Sequence, residues 1–344
     1  MSQGLLPAPA PGGDAGRRPG SRHPESRPAD PRRAEPRRPE TRRAGSLPPG
    51  FTPPVLHVPL RRIGGHTIDF SRRILVMAIV NRTPDSFFDE GRTFALDRAV
   101  DAGLRAVEDG ADWIDVGGVP FKPGPELPVA EEIARVVPVV RALRARSDAV
   151  VSVDTFQPAV AAAAIVAGAA VINDTTGLHH PELADVVADS DATLIVTHSR
   201  AAPRQEFPRP RYDDVTREVA RFLERRLDVA RGRGIPEDRL IIDPGHDLNK
   251  TTVHSLELTR HLSEVTALGY PTLVAVSNKD FVGETLARAK PERRDGSIAA
   301  ATLCAMLGAR IVRMHDVRAA VDAMRMVEAV LGWRDPLEAR HNLE

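Results

Sequence analysis

Eight short apolar runs each close on a residue able to do chemistry, and the set says more than any member. In chain order the closing residues are Asn81, Asp115, Asp154, Asn173 with Asp174, His198, Asp243, Ser277 with Lys279, and Arg313 with His315. Carboxylates and amides offer the donors and acceptors that suit the edge of a nitrogen heterocycle. Buried, Asp154, Asn173 and Asp243 would each be costly to leave unpaired, so they select for a matching ring edge. Lys279, Arg313 and His315 suit an anionic group such as phosphate. The chain has no Gly-rich phosphate loop, so side chains would grip the anion. Taken singly, any of these residues is as well explained as a helix cap or a satisfied buried group. Eight together require an architecture that aims them at one place.

That architecture is legible in the spacing. The runs are Ile74–Asn81, Trp113–Gly118, Val150–Thr155, Ala170–Thr175, Thr193–His198, Leu240–Gly245, Thr272–Asn278 and Arg310–Asp316. They are rich in Val and Ile and do not alternate, which fits parallel strands buried on both faces. Between them, Leu96–Glu108, Glu131–Arg144, Pro158–Ala167, Pro181–Ala188, Val215–Ala230, Leu256–Leu268, Ile298–Leu307 and Val317–Val330 have helical spacing. Strand and helix alternate eight times, which predicts an α/β fold, a (β/α)8 TIM barrel with its site at the C-terminal strand ends. A doubly wound sheet is the alternative, disfavoured because no Gly-x-Gly-x-x-Gly follows the first strand. Val55–Phe70 reads as an N-terminal β-hairpin turning at Gly64-Gly65, expected to cover the barrel bottom.

Composition narrows the class. The 344 residues carry 47 basic and 47 acidic side chains, which gives no pointer to nucleic acid or a membrane. The balance hides a basic tail: residues 1–50 hold ten Arg, five acids and eleven Pro with few large apolar groups. Such a segment cannot bury enough area to offset ordering entropy, so a disordered tail is expected over 1–50, the barrel over 51–335 and a short tail over 336–344. A single cysteine, Cys304, excludes a disulfide framework. No apolar run has the length of a membrane span and no apolar leader opens the chain, so a cytoplasmic location is expected.

Seven ordered strings resemble the dihydropteroate synthase family. They are Met77–Phe87 (MAIVNRTPDSF), Ile114–Gly118 (IDVGG), Val151–Thr155 (VSVDT), Val171–Asp174 (VIND), Asp243–Gly245 (DPG), Ser277 with Lys279, and Arg313–Asp316 (RMHD). The likeness covers roughly Val55 to Val330. It implies a transferase that joins 6-hydroxymethyl-7,8-dihydropterin pyrophosphate to p-aminobenzoate and releases pyrophosphate. It implies pterin-edge contacts at Asp154, Asn173, Asp243 and Lys279, with Ser277 beside them, and pyrophosphate contacts at Arg313 and His315. It also implies Mg²⁺ at Asn81, catalytic parts for Asp154, Lys279 and the loop carboxylate Asp85, and a homodimer through the last helices.

The chain departs from the family pattern in four places, one of them the fifth strand end, where Thr197-His198-Ser199-Arg200 replaces a Met-His pair and its glycine and Arg200, Arg204 and Arg209 read mainly as solvated loop charges. After IDVGG it reads Val119-Pro120-Phe121-Lys122-Pro123-Gly124, where the family has Glu-Ser-Thr-Arg-Pro-Gly. Asn278 stands where the family has Arg, and His246-Asp247-Leu248-Asn249 replaces a Gly/Phe stretch before Lys250. The pterin-gripping residues are kept while those around the acceptor are changed, a split that resembles the divergent second synthase copy of actinobacteria. Three readings follow: an active synthase, a pterin-binding paralogue with little or no synthase activity, or a related enzyme using another acceptor. Among residues outside this set, Asp115, Trp113 and Cys304 read as structural or core. His246, His254 and His261 read as capping or surface groups.

Overall fold

The computed structural model describes residues 51–82, 91–119 and 123–342, and the barrel is there. A hairpin comes first, β1 (Leu60–Ile63) antiparallel to β2 (His66–Asp69). Its turn residues Gly64 and Gly65 have φ of 58° and 88°, the left-handed pair that matches strand twist and that glycine adopts without strain. Eight strands follow: β3 (Leu75–Asn81), β4 (Trp113–Gly117), β5 (Val150–Asp154), β6 (Val171–Asp174), β7 (Thr193–Thr197), β8 (Leu240–Asp243), β9 (Leu273–Val274) and β10 (Ile311–Met314). They alternate with α1 (Gly91–Glu108), α2 (Val129–Arg146), α3 (Pro158–Val166), α4 (Glu182–Ala188), α5 (Val215–Gly232), α6 (Thr252–Arg260), α7 (Leu262–Thr266), α8 (Asp280–Leu286), α9 (Arg294–Met306) and α10 (Val317–Val330).

The strand pairs of the eight-stranded sheet run parallel, in the order β8-β7-β6-β5-β4-β3-β10-β9. The two ends of that order meet through a single parallel bridge, Ile242 to Thr272, which closes the ring. Side chains alternate across the wall. Leu75, Met77, Trp113, Val150, Val171, Ile195, Ile241, Leu273 and Ile311 fill the lower barrel together with Ile63, Ile68 and Phe70 from the hairpin segment. The hairpin therefore plugs the bottom, as expected. The intervening residues, among them Val76, Ile114, Val151, Ile172, Leu194, Ile242 and Val312, face the helices in a second cluster. Two buried arginines fasten the plug: Arg61 Nη1 donates to Leu240 O at 2.6 Å and Arg310 Nε to Phe70 O at 2.9 Å. Trp113 and Cys304 are core residues, and burial pushes the Cys304 thiol up to about 12, which leaves it inert.

Three elements differ from the sequence expectation. The seventh run yields only two strand residues, and Asn278 at its end takes a left-handed φ of 57°. The stretch Leu256–Leu268 breaks at His261 into α6 and α7. Helix α8 was not anticipated, because what starts it is a carboxylate 33 residues earlier in the chain, described below. Among the described residues no helix is long and apolar enough to cross a membrane.

Candidate active site

Parallel register carries the inward alternation up to the mouth. Asp115 on β4 lies opposite Ser152 on β5, and Asp154 lies opposite Asn173 on β6. Asp115 is fully buried; its carboxylate accepts hydrogen bonds from Ser152 Oγ at 2.6 Å, Asn173 Nδ2 at 3.0 Å and Arg313 Nε at 2.7 Å. The Arg313 guanidinium reaches on to Asp154, with Nη2 3.5 Å from Oδ2. Asp115 is thus the post on which two expected binding residues are mounted. Asn173 spends its amide nitrogen on this post. Its Oδ1 is buried and has no partner among the described residues, a costly arrangement unless a donor arrives from outside.

The charges around this post are strongly coupled. Burial, and then the neighbouring charge of Asp115, push the Asp154 carboxyl up to about 7 against the pull of Arg313. Burial likewise lifts Asp243 to about 6, opposed by the Gly245 N–H at 2.7 Å and by Lys279, Lys250 and Arg313. Burial works against the Arg313 cation, but Asp115 and Asp154 outweigh it and hold the guanidinium charged. Burial lowers Lys279, while Asp247 opposes that shift. His315 is pushed down to about 4 by burial and by Arg313, so its ring is neutral; its Nδ1 lies 2.9 Å from Ser277 Oγ. At the rim, a Cβ on Gly117 would lie 3.0 Å from Asn81 Oδ1 and 3.9 Å from Asp154 Cβ. Only glycine leaves Asn81 that approach.

Two of the strand-end residues are diverted from the mouth. Asp174 faces the helices and organises the next turn, accepting from the Thr176 N–H at 2.8 Å and Thr176 Oγ at 2.6 Å. His198 packs against Phe222 with ring centroids 4.8 Å apart, and its Nδ1 accepts from Lys250 Nζ at 2.8 Å. Burial and that cation push His198 down to about 2, which keeps the acceptor nitrogen bare. Lys250 also donates to Gly245 O at 2.8 Å and Leu248 O at 3.1 Å, so all three ammonium hydrogens are used inside the protein. His246 corrects the surface reading: it is buried, stacks on Phe281 at 5.9 Å and meets Thr259 Oγ at 3.1 Å. His254 does cap, accepting from the Thr251 N–H at 3.2 Å. Asp85, Phe121 and Lys122 lie outside the described residues.

The β8 and β9 loops make a corner of a different kind. Asp247 has a φ of 64°, and its Oδ2 accepts from the Asp280 N–H at 2.6 Å and the Phe281 N–H at 3.3 Å. A carboxylate of the chain itself therefore caps α8. Asn249 Oδ1 takes the Arg200 and Ala201 N–H groups at 2.6 and 2.9 Å and shapes the loop after β7. That loop meets the loop after β4 where Arg204 Nε donates to Pro125 O at 3.1 Å and Gly124 N–H to Arg204 O at 3.0 Å. A cavity of about 440 Å³ lies beneath, walled by Asp154, Phe156, Glu132, Phe207, Asp247 and Leu248 among others. Sequence reasoning passed over Glu132, which is buried in the first turn of α2. Its Oε1 accepts from Thr155 Oγ at 2.6 Å, and burial raises its pKa.

A model of the family described as pterin binding enzyme matches residues 77–315. The chain belongs to the pterin binding enzyme family. It is 45% identical over 270 residues to the inactive dihydropteroate synthase 2 of Mycobacterium tuberculosis, covering 77% of this chain and 85% of that one. It is 38% identical over 261 residues to the dihydropteroate synthase of Escherichia coli, covering 76% and 93% of the two chains. The dihydropteroate synthase of Xanthomonas albilineans, solved with 4-aminobenzoic acid, superposes with a TM-score of 0.74 at 42% identity, covering 79% of this chain and 98% of that one. As a family member, the chain keeps the full barrel and the strand-end residues on which the sequence resemblance rested.

Proposed function

We propose that the chain is a dihydropteroate synthase-type transferase. It binds 6-hydroxymethyl-7,8-dihydropterin pyrophosphate and joins the pterin methylene to p-aminobenzoate. One observation carries the donor side: Asn173 Oδ1 is open, Asp154 lies beside Asn173 in register, and the Asp154 and Asp243 carboxylates both act on the Arg313 charge. A reduced pterin edge, with its amino group and ring N–H groups, supplies the matching donors. Arg313, Lys279 and the Ser277–His315 pair lie on the β9–β10 side, where a pyrophosphate would be neutralised and held. The C–O bond to pyrophosphate breaks and takes its electron pair with the leaving group. The methylene cation is stabilised by the nearby carboxylates and captured by the amine lone pair, and the amine gives up one proton. Asp154, poised near neutrality, is placed to accept that proton.

The residues at the rim fit Mg²⁺. Among the described residues no cluster of three or more His, Cys, Asp or Glu could hold a metal, but Mg²⁺ bound to a pyrophosphate needs few protein ligands. Asn81 Oδ1 would be that ligand, and the ion would offset charge on the leaving group. A homodimer through α9 and α10 also belongs to this reading. Leu303, Met326 and Val330 on those helices are 58%, 63% and 61% exposed, and Leu303→Glu should yield monomers in sedimentation.

A second reading, a pterin-binding paralogue that makes little dihydropteroate, is favoured by Asn278 and Asp247 on the acceptor side and by the 45% identity to an inactive synthase copy. The test is incubation with Mg²⁺, the dihydropterin pyrophosphate and p-aminobenzoate, with dihydropteroate read by mass. Enzyme-dependent product, lost in Asp154→Asn, supports the synthase. Saturable pterin pyrophosphate binding without product supports the paralogue.

A further inference from the structure

The cavity beside Asp154 has a charge pattern of its own. Four carboxylates line it, Asp154, Glu132, Glu206 and Asp247, and its cations among the described residues are Arg204 and Lys250. Neither is aimed at a ligand. Lys250 gives its three hydrogens to His198, Gly245 and Leu248, and Arg204 Nε is turned to the Pro125 carbonyl. The α8 N–H groups that border the corner are already taken by Asp247. The remaining walls combine apolar and aromatic residues, notably Phe156, Phe207 and Leu248, with uncharged polar ones such as Thr175, Gln205 and Asn249. Among the described residues an arriving carboxylate would meet four carboxylates and no cation aimed at it, whereas an uncharged arylamine would find flat apolar surfaces and acceptors for its N–H groups.

We infer that this cavity is the acceptor chamber and that it selects an uncharged or cationic arylamine over a carboxylate-bearing one, with Asp247 and Glu206 as the specificity-determining residues. This rests on the transferase reading above and sharpens its acceptor. The C–O bond breaks and its pair departs on pyrophosphate, and the amine nitrogen lone pair then forms the C–N bond to the methylene cation. The displaced amine proton passes to Asp154, which borders both the ring of acceptors and the cavity.

The experiment compares p-aminobenzoate with p-aminobenzamide, which has the same shape and no charge. The full chain is supplied with Mg²⁺ and the dihydropterin pyrophosphate, and both kcat/KM and equilibrium binding to the pterin-loaded protein are measured. The expected result is a preference for the amide of about tenfold, in turnover or, where turnover is undetectable, in binding. Asp247→Asn and Glu206→Gln should each shift the ratio toward p-aminobenzoate by about threefold. Arg217→Gln, on the exposed face of α5, is the control and should leave the ratio unchanged. Equal or better use of p-aminobenzoate, or a ratio indifferent to both acidic substitutions, overturns the inference while the transferase reading stands. Failure of the pterin pyrophosphate to bind overturns both.

Discussion

On the β4–β6 and β10 side, strand register sets the polar groups: Asp115 holds Asn173 and Arg313, and Asn173 keeps one acceptor open. On the β8–β9 side, loops set them, and the chain satisfies itself: Asp247 fills the start of α8, and Lys250 spends its ammonium on two carbonyls and His198. The first wall leaves Asn173 Oδ1 open, whereas in the second Asp247 and Lys250 are satisfied by the chain and the buried His246 Nδ1 is what is left over. A pocket rich in hydrogen-bonding groups is therefore a binding site only to the extent that those groups are left over. On the function proposed above, Asn173 Oδ1 would take a pterin donor, while the corner where an anionic acceptor would need donors offers carboxylates.

The largest expected effect tests the post itself. Asp115→Ala leaves the buried Arg313 without its main partner, and chemical denaturation should show a loss of roughly 3–5 kcal/mol. A loss near zero would mean the wall is held by packing alone and would erase the contrast with the corner. Next comes Asp154→Asn, which should lower turnover by about a hundredfold or more. It also carries a pH signature. The native pKa of Asp154, about 7, lies above the ordinary 3.8, so between those values the folded state binds more protons than the unfolded one and stability falls as pH rises. The Asn variant lacks that penalty, so its stability relative to wild type should grow from pH 4 to pH 7. Thermal unfolding at several pH values checks the sign.

Smaller effects sharpen the corner. Asp247→Ala removes a cap from α8 and should cost about 1 kcal/mol, with faster amide exchange at Asp280 and Phe281. Smallest is Asn278→Arg. The left-handed φ of 57° suits Asn better than Arg, so a destabilisation of about 1 kcal/mol or less is expected in the same denaturation assay.

The sequence and the structure agree where periodicity decides the outcome. Eight apolar runs placed eight strands, and in the structure period-two alternation from Trp113 to Asp115 and from Ser152 to Asp154 turns those polar residues inward. The same alternation, followed one residue further, separates Asp174 and His198 from the mouth; reading only the ends of the runs counted them in. What the sequence did not reveal depends on long-range partners. Helix α8 has seven residues and is started by a carboxylate from the β8 loop, so nothing local announces it. His246 is polar and follows a Gly, signs of a turn at the surface, yet Phe281 and Thr259 from distant segments bury it. The role of Lys250 is likewise set by His198, a residue 52 positions away.

The central claim is that the wall left open by Asn173 is a pterin site in a chain whose acceptor corner has been rebuilt. Its most direct test is calorimetric titration of the folded full chain with 6-hydroxymethyl-7,8-dihydropterin pyrophosphate and Mg²⁺, repeated with Asn173→Leu, which keeps the branched side-chain shape and removes the open acceptor together with the donor to Asp115. The account predicts saturable one-to-one binding to wild type, weakened by about tenfold or more in the variant. Absence of binding to the folded wild-type chain, or equal affinity in the two proteins, would contradict it.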